Sequence, residues 1–161
     1  MEENNDKTNK NTISRSAFIK KAALATAGFY IVPRFVLGGK GYTAPSDKLY
    51  IAAVGTGGEA ENDIHHYATA PKKNAEIAFL CDVDERPGMQ RLKQFPKAKF
   101  YHDWREMFDK EHKNFDAVTV AIPDHNHAIV GHSAMQLKKH LYLQKPLTHD
   151  IYEARVLTEA S

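Results

Sequence analysis

Three small residues near position 55 have the types and spacing that could hold a pyrophosphate. The apolar run Leu49–Val54 is followed by Gly55, Gly57 and Ala60, in the pattern G-x-G-x-x-A. The glycines allow a tight turn and a close approach of main chain to phosphate, and the third small residue lets a following helix pack closely on the strand. The alternative is an ordinary turn between a strand and a helix. The predicted dinucleotide-binding residues of this turn are Gly55, Thr56, Gly57, Gly58 and Ala60.

A carboxylate stands at the end of the next apolar run. Asp82 follows Glu76–Cys81, somewhat further from Gly55 than the usual spacing of about 20 residues. A carboxylate there can accept hydrogen bonds from the ribose hydroxyls of adenosine and would repel a 2′-phosphate, which favours NAD over NADP. Arg86 is near enough in sequence to weaken that preference, so NADP stays possible. The alternative is that Asp82 is a turn or helix-capping carboxylate.

The elements that must position these residues alternate along the chain. Runs of strand length and of helical period follow one another after Lys48, which is typical of parallel strands joined by crossover helices. The predicted strands are Leu49–Val54, Ile77–Cys81, Lys99–Tyr101, Ala117–Ile122 and Leu141–Leu143. The predicted helices are Gly58–Ala70, Arg86–Gln94, Trp104–Lys110, Ile129–Lys139 and Ile151–Ala160. We predict an α/β fold, a Rossmann-like doubly wound parallel sheet with five visible strands.

Polar clusters follow the predicted strands, where parallel strands end at a common edge. Pro123-Asp124-His125-Asn126-His127 follows the fourth strand and Gln144-Lys145-Pro146 the fifth. In open parallel sheets the ligand lies outside the carboxyl ends of the strands. One crevice could therefore be lined by these clusters together with the glycine turn and Asp82. Met107 and Phe108 are expected to form the core face of a short helix with Trp104, rather than a surface that stacks on a nucleotide.

Composition bounds the remaining function classes. The 161 residues suit one ordinary globular domain, and a net charge of +2 with interspersed lysines and carboxylates gives no electrostatic footprint for nucleic acid. The single cysteine, Cys81, excludes a disulfide framework. His125, His127 and His132 could suggest zinc, but a site needs further donors at defined geometry, and we predict no metal. The alternative for the histidines is a loop before a helix, with Asp124 or Asn126 as its cap.

The N-terminal 45 residues differ in character from the rest. Their apolar stretch, Ala22–Val32, is too short for a stable membrane span. The preceding residues resemble a twin-arginine export signal in which Ser16 replaces the second arginine. We predict a leader and linker over residues 1–45, export to the periplasm, and cytoplasmic location if the signal does not function. The alternative is a short amphipathic helix in a disordered arm. The residues that carry the resemblance are Ser14, Arg15, Ala17, Phe18, Ile19 and Lys20.

The folded part, residues 46–161, resembles the glucose–fructose oxidoreductase, inositol dehydrogenase and rhizopine-catabolism family, Gfo/Idh/MocA. The motifs that carry the resemblance are VGTGGEA, LCDVDE, AIPDHNH and QKPLTHDIYEA. It implies a nicotinamide cofactor and a sugar or polyol whose hydroxyl carbon exchanges hydride with it. Lys145 corresponds to the lysine of the family's E-K-P motif, which lies beside the nicotinamide and can polarise the reacting oxygen. Pro146 would fix the turn, while Gln144 departs from the glutamate.

The resemblance also assigns the loop after the fourth strand and a second domain. Pro123 leads toward the nicotinamide half, and Asp124, Asn126 and His127 are candidates to approach cofactor or substrate. Family members place most substrate contacts in a following α+β domain, and we expect this sequence to stop before that domain and before the sixth strand. We therefore expect the cofactor-binding portion of a longer, homo-oligomeric oxidoreductase. The alternatives are a non-catalytic nucleotide-binding module and an inactive truncated fragment.

Overall fold

The computed structural model describes residues 43–70 and 74–161. The predicted export signal falls on residues that lie outside this part. Among the described residues, no helix combines the length and the apolar character needed to cross a bilayer.

Strands and helices alternate as the sequence predicts. The strands are β1 (Leu49–Val54), β2 (Ala75–Cys81), β3 (Lys99–Tyr101), β4 (Ala117–Val120) and β5 (His140–Leu143). The helices are α1 (Glu59–Ala68), α2 (Glu85–Gln94), α3 (Trp104–Glu111), α4 (His127–Gln136) and α5 (Ile151–Ala160). Short 3₁₀ turns at Pro45–Asp47 and Asp124–Asn126 precede β1 and α4.

The five strands form one parallel sheet in the order β3-β2-β1-β4-β5. The chain first winds outward from β1 through β2 to β3 and then returns to the other side of β1, so strand order reverses between β1 and β4. The predicted doubly wound, Rossmann-like sheet is confirmed. Such a reversal opens a crevice at the carboxyl ends of the two strands.

The core forms on both faces of the sheet because side chains of a strand alternate between the faces. Ile51 and Ala53 of β1 pack in one cluster, with Ile64 of α1. Ala52 and Val54 pack in the other. That second cluster also contains the two predicted core residues of α3, Met107 and Phe108.

Helix α3 is tied to β3 by Glu111, a buried carboxylate at its C-terminal end. Glu111 accepts hydrogen bonds from Lys99 Nζ at 2.8 Å, Tyr101 Oη at 2.7 Å and Asn114 Nδ2 at 2.8 Å. These donors, Lys99 foremost, lower the pKa of Glu111 to about 2. The carboxylate is therefore ionised at neutral pH.

β4 and α4 depart from the predicted bounds at the crevice. β4 ends at Val120 rather than Ile122, and α4 begins at His127 rather than Ile129. The reason is that β1 turns away at Gly55. Ala121 N donates to Val54 O at 2.9 Å, and β1 offers no residue beyond that for a longer ladder.

Candidate functional site

The glycine turn after β1 is shaped by main-chain contact with the loop after β4. Gly55 has φ +96°, and a Cβ there would collide with the carbonyl group of Ala121. Gly57 lies against Pro87, whose Cβ would be 3.2 Å from an added Cβ. Gly58 has φ +57° but faces open space. Glycine is therefore required at position 55 by conformation and contact together.

The turn leaves N–H groups open where α1 begins. Among the described residues, the main-chain N–H groups of Gly57, Gly58 and Glu59 have no hydrogen-bond partner, whereas Ala60 N donates to Gly57 O and Glu61 N to Gly58 O. Open N–H groups at the start of a helix, together with its dipole, form an anion site. This geometry fits a pyrophosphate.

Asp82 joins the end of β2 to the glycine turn. Its Oδ2 accepts hydrogen bonds from Thr56 N at 2.9 Å and Thr56 Oγ1 at 2.7 Å, and its Oδ1 accepts from Asp84 N at 3.0 Å. Thr56 is fully buried. Asp82 therefore holds the turn, as the turn-carboxylate alternative predicts. A carboxylate has about four lone-pair positions, so Asp82 can still accept from a ribose hydroxyl.

A cavity of about 520 Å³ extends from the glycine turn over the ends of β2 and β3. Sequence reasoning did not assign its contributors from the loop after β3 and the first turn of α3, although the rule that ligands lie beyond strand ends could have found them. Trp104 is among them, so it is not only a core residue, and the guanidinium of Arg105 lies 4.7 Å from its ring centroid. The full lining is Val54, Gly55, Gly57, Cys81, Asp82, Val83, His102, Asp103, Trp104, Arg105, Ala121, Ile122, Pro123 and Asn126.

Arg86 is engaged by its neighbour at the start of α2. Asp84 caps the helix by accepting from Arg86 N, and its carboxylate also binds the Arg86 guanidinium, at 2.6 Å from Nη2. This hydrogen bond lowers the pKa of Asp84 to about 2. The guanidinium therefore faces a carboxylate.

A second cavity, of about 240 Å³, lies at the ends of β4 and β5. Lys145 is exposed there, and Glu59, the first residue of α1, contributes a carboxylate to the same lining. The Lys145–Pro146 peptide bond is cis. The lining residues are Glu59, Ala121, Ile122, Pro123, Gln144 and Lys145.

Gln144 lies beneath Lys145 and is buried. Its Nε2 donates to Asp63 Oδ2 at 2.9 Å, and its Oε1 accepts from Lys145 N at 3.1 Å. Asp63 is itself buried, 8% exposed, one turn into α1. The amide therefore links α1, the helix after the glycine turn, to the loop that carries Lys145. No short sequence motif predicts this contact.

His127 connects the loops after β4 and β5. The ring is 1% exposed, with Nε2 2.7 Å from Ile122 O and Nδ1 2.7 Å from Pro146 O. Because both nitrogens face carbonyl oxygens, the ring is not open to the crevice as a direct contact to cofactor or substrate. It braces the two loops that line the smaller cavity.

The neighbouring polar residues of this loop are exposed, apart from Asp124, which is half-buried. Asp124 Oδ2 lies 3.5 Å from His149 Nδ1, and Asp124 Oδ1 accepts from His125 N at 2.8 Å. His149 is the main cause of the lowered pKa of Asp124. Asn126 precedes α4 without capping it through its side chain. In residues 43–70 and 74–161, no three His, Cys, Asp or Glu side chains are grouped so that they could hold a metal ion.

The crevice brings together most of the predicted site residues, in two sets. Gly55, Gly57, Asp82, Pro123 and Asn126 line the larger cavity, and Pro123, Gln144 and Lys145 line the smaller one. The others support or flank these cavities without lining either: Thr56, Gly58, Ala60, Asp124, His127 and Pro146.

Residues 49–161 match the model of an oxidoreductase family with an NAD-binding Rossmann fold, GFO_IDH_MocA. No curated protein matches the chain. An oxidoreductase from Agrobacterium radiobacter, solved in complex with NAD+, L-tartaric acid and magnesium, is 26% identical with a TM-score of 0.64. The match covers 70% of this chain and 32% of that one.

Two further solved structures share the fold at lower identity. Myo-inositol 2-dehydrogenase from Lactobacillus plantarum is 21% identical with a TM-score of 0.64, and the match covers 70% of this chain and 32% of that one. The WlbA dehydrogenase from Bordetella pertussis, in complex with NADH and UDP-GlcNAcA, is 21% identical with a TM-score of 0.64, over 70% and 33% of the two chains. This chain therefore spans about a third of the length of these structures.

The family match extends from the first residue of β1 to the last residue of α5 and beyond it to Ser161. It includes every strand of the sheet and all the loops that line both cavities. The resemblance inferred from the four motifs is thus confirmed, and the chain belongs to the Gfo/Idh/MocA family of oxidoreductases, whose fold is the NAD-binding Rossmann fold.

Proposed function

We propose that this chain is the cofactor-binding part of an NAD-dependent oxidoreductase that transfers hydride between nicotinamide and a hydroxyl carbon of a sugar or polyol. The observation that carries the proposal is the common edge of the sheet. There, the open N–H groups at Gly57, Gly58 and Glu59 lie between Asp82 on one side and Lys145 on the other. This order is the one expected for a dinucleotide laid across the strand reversal, with the pyrophosphate at its centre.

The residues divide the cofactor between the two cavities. The glycine turn would hold the pyrophosphate, and Asp82 would accept from the adenosine ribose, which favours NAD. Arg86 does little to attract a 2′-phosphate, because its guanidinium is paired with Asp84. Bound NAD supplies the hydride acceptor or donor. Pro123, Gln144 and Lys145 would surround its nicotinamide end.

Lys145 is proposed as the catalytic residue. Its side chain is exposed at the smaller cavity, while its main-chain N–H is held by Gln144. An ammonium can donate a hydrogen bond to the substrate oxygen, and the amine form can take up the hydroxyl proton. Asp124 and Asn126 are proposed to approach the cofactor or substrate from the loop after β4, with His127 holding that loop from beneath.

The first experiment is a thermal shift and calorimetric titration of the purified chain with NAD and NADP. A ligand that binds only the folded state raises its melting temperature. We expect stabilisation by NAD, weaker stabilisation by NADP, and loss of both in Asp82→Ala. A cooperatively folding chain that neither nucleotide stabilises would contradict the proposal.

Turnover distinguishes the enzyme from a non-catalytic nucleotide-binding module. A panel of inositols, sugars and sugar acids is offered with NAD, and NADH formation is followed by absorbance. Turnover that Lys145→Ala abolishes, with NAD affinity retained, supports the catalytic assignment. NAD binding without turnover by any product of this gene, including a longer one, would favour the module.

We also propose a sugar- or polyol-binding domain beyond the part described, homo-oligomeric assembly of the full-length protein, and export through the twin-arginine-like segment. The supports are the family's architecture and the SRSAFIK sequence. Light scattering of the purified full-length protein would test the assembly. Cell fractionation of the wild type and an Arg15→Lys variant would test the export.

A further inference from the structure

Asp63 has no role in the function proposed above, and with Gln144 it forms a buried pair. Its two side chains are 81 positions apart in sequence and are 8% and 9% exposed. Burying a carboxylate is unfavourable unless it is hydrogen-bonded, so an unpaired Asp63 would be costly. The Gln144 amide satisfies it with one N–H at 2.9 Å.

The same amide holds the residue that follows it. Gln144 Oε1 accepts from Lys145 N at 3.1 Å, so both ends of the side-chain amide are in use. These two partners fix its orientation, since only nitrogen can donate to a carboxylate and only oxygen can accept from a main-chain N–H. A hydrogen-bond chain thus runs from Asp63 through Gln144 to the Lys145 main chain.

Helix α1 extends this chain to the glycine turn. Asp63 lies one turn into the helix whose first residue, Glu59, lines the same cavity as Lys145. Further along the helix, the Tyr67 ring packs edge-on against Tyr142 of β5, with centroids 5.9 Å apart. Helix α1, whose first turn would face the pyrophosphate, is therefore also the helix that contacts the Lys145 loop.

This arrangement explains why residue 144 carries an amide. A glutamate there could still accept from Lys145 N, but its second oxygen would face the Asp63 carboxylate instead of donating to it. Two carboxylates at hydrogen-bond distance cannot both be ionised without strong repulsion. The departure from the E-K-P motif is therefore matched by the carboxylate on α1.

We propose that Asp63 is a positioning residue, which through Gln144 sets the conformation of the Lys145 loop, and that its carboxylate determines the amide at position 144. The proposal rests on the proposed function insofar as the loop faces the nicotinamide. It predicts that changes at this pair affect the nicotinamide end of the crevice selectively. The adenosine end, with Asp82 and the larger cavity, would be unaffected.

The test compares NADH with ADP-ribose, which lacks the nicotinamide, by calorimetric titration of the full chain. In Gln144→Glu we expect NADH affinity to fall about tenfold or more at about pH 8, because a buried donor is lost and two carboxylates oppose each other. ADP-ribose affinity should change less than about twofold. An equal loss for both ligands would overturn the positioning role.

A second substitution gives the decisive control. Asp63→Asn alone should be mild, since an Asn oxygen still accepts from Gln144. The double variant Asp63→Asn/Gln144→Glu should regain near wild-type NADH affinity, because the Asn amide can donate to the new carboxylate. Should Gln144→Glu fail to fold, folding of the double variant is itself the rescue. Failure of Asp63→Asn to rescue either property would overturn the proposal.

The pH profile of Gln144→Glu provides a further signature. One of the two facing carboxyls would have a raised pKa, so the variant should recover NADH affinity as the pH falls toward about 5.5, where a shared proton bridges the pair. The other ionisable groups nearby, Tyr67 on α1 and Glu59 and Lys145 at the cavity, are common to every variant. A pH-independent loss would contradict the matched-pair explanation.

Glu111→Gln serves as the matched stability control, because Glu111 is buried and hydrogen-bonded but lines neither cavity. It should lower the melting temperature and leave the ratio of NADH to ADP-ribose affinity unchanged. If the wild type bound neither ligand, the proposed function and this inference would both fail. If it bound both and the variants matched it, only the inference would fail.

Discussion

The two halves of the crevice are built differently. On the side of β2 and β3, a carboxylate at a strand end holds the main chain of the adjacent turn, as Asp82 holds Thr56. On the side of β4 and β5, side chains from distant segments meet, as Gln144 meets Asp63 and His127 meets the carbonyls of two loops. The first half can be recognised from a short motif, whereas the second depends on contacts that form only in the folded chain.

The largest effect should come where the halves touch. Gly55→Ala would place a methyl group against the Ala121 carbonyl at φ +96°, so we expect a loss of about 3 kcal/mol or more in unfolding free energy. Chemical denaturation measures it. Gly58→Ala, at φ +57° and ψ −126° with open space around it, isolates the backbone strain without the collision and should cost about 1 to 3 kcal/mol. Equal losses in the two variants would mean that the contact with Ala121 is unimportant.

The second-largest loss of stability is expected in the half on the side of β4 and β5. His127→Leu removes the ring that lies between the carbonyls of Ile122 and Pro146, so at least one carbonyl loses its N–H donor, and we expect a loss of about 2 to 4 kcal/mol in unfolding free energy. NAD affinity should fall more than ADP-ribose affinity, because the loops around Lys145 would loosen. His125→Leu, at an exposed neighbour, should change stability by less than about 0.5 kcal/mol. A loss in His125→Leu as large as that in His127→Leu would contradict the role of His127 in holding the two loops.

A smaller loss of stability is expected in the half on the side of β2 and β3. Thr56→Val removes the hydroxyl that donates to Asp82 at 2.7 Å and keeps the shape of the side chain, so we expect a cost of about 1 to 2 kcal/mol. Thr56→Ser keeps the hydroxyl and should retain most of the stability. ADP-ribose affinity should fall in Thr56→Val as much as NAD affinity does. A selective loss of NAD would show that the halves are not separable.

Glu111 lies outside both halves of the crevice, so it provides a reference for changes in overall stability. Its pKa of about 2 is below its ordinary value of 4.5. The carboxylate therefore contributes stability that is fully present above about pH 4.5 and is lost as the pH falls toward 2. Melting temperatures of the wild type and Glu111→Gln should converge over this range. A constant difference would mean that protonation of Glu111 is not the cause.

The smallest expected effect concerns cofactor choice. Asp84→Asn keeps an acceptor for the helix cap but removes the charge that pairs with Arg86. The freed guanidinium should raise NADP affinity relative to NAD by about threefold to tenfold, a small effect because solvent screens an exposed charge. Asp82 still repels the 2′-phosphate, so NAD should stay preferred. No change in the ratio would exclude Arg86 from cofactor choice.

Sequence reasoning predicted correctly those features that depend on residues close together in the sequence. Apolar periodicity predicted the alternation of strands and helices, and the glycine spacing predicted the turn at Gly55. It could not predict the burial of His127 or the Asp63 contact, because each depends on partners distant along the chain. Trp104 was misjudged in part, since a helical pattern reports the core face but does not report that the first turn borders a cavity. The bounds of β4 failed for a related reason, because its ladder ends where β1 turns away.

The contact between Gly55 and the Ala121 carbonyl has a consequence for how this protein can vary. Ala121 takes part in this contact through its main-chain carbonyl group, so the contact constrains the residue at position 55 and leaves the side chain at position 121 free to vary. Position 55 admits a single amino acid, whereas position 121 contributes a carbonyl that every amino acid has. As sequences diverge, the contact between the two halves of the crevice therefore depends on a single residue, Gly55. The side chain at position 121 can change without disturbing that contact.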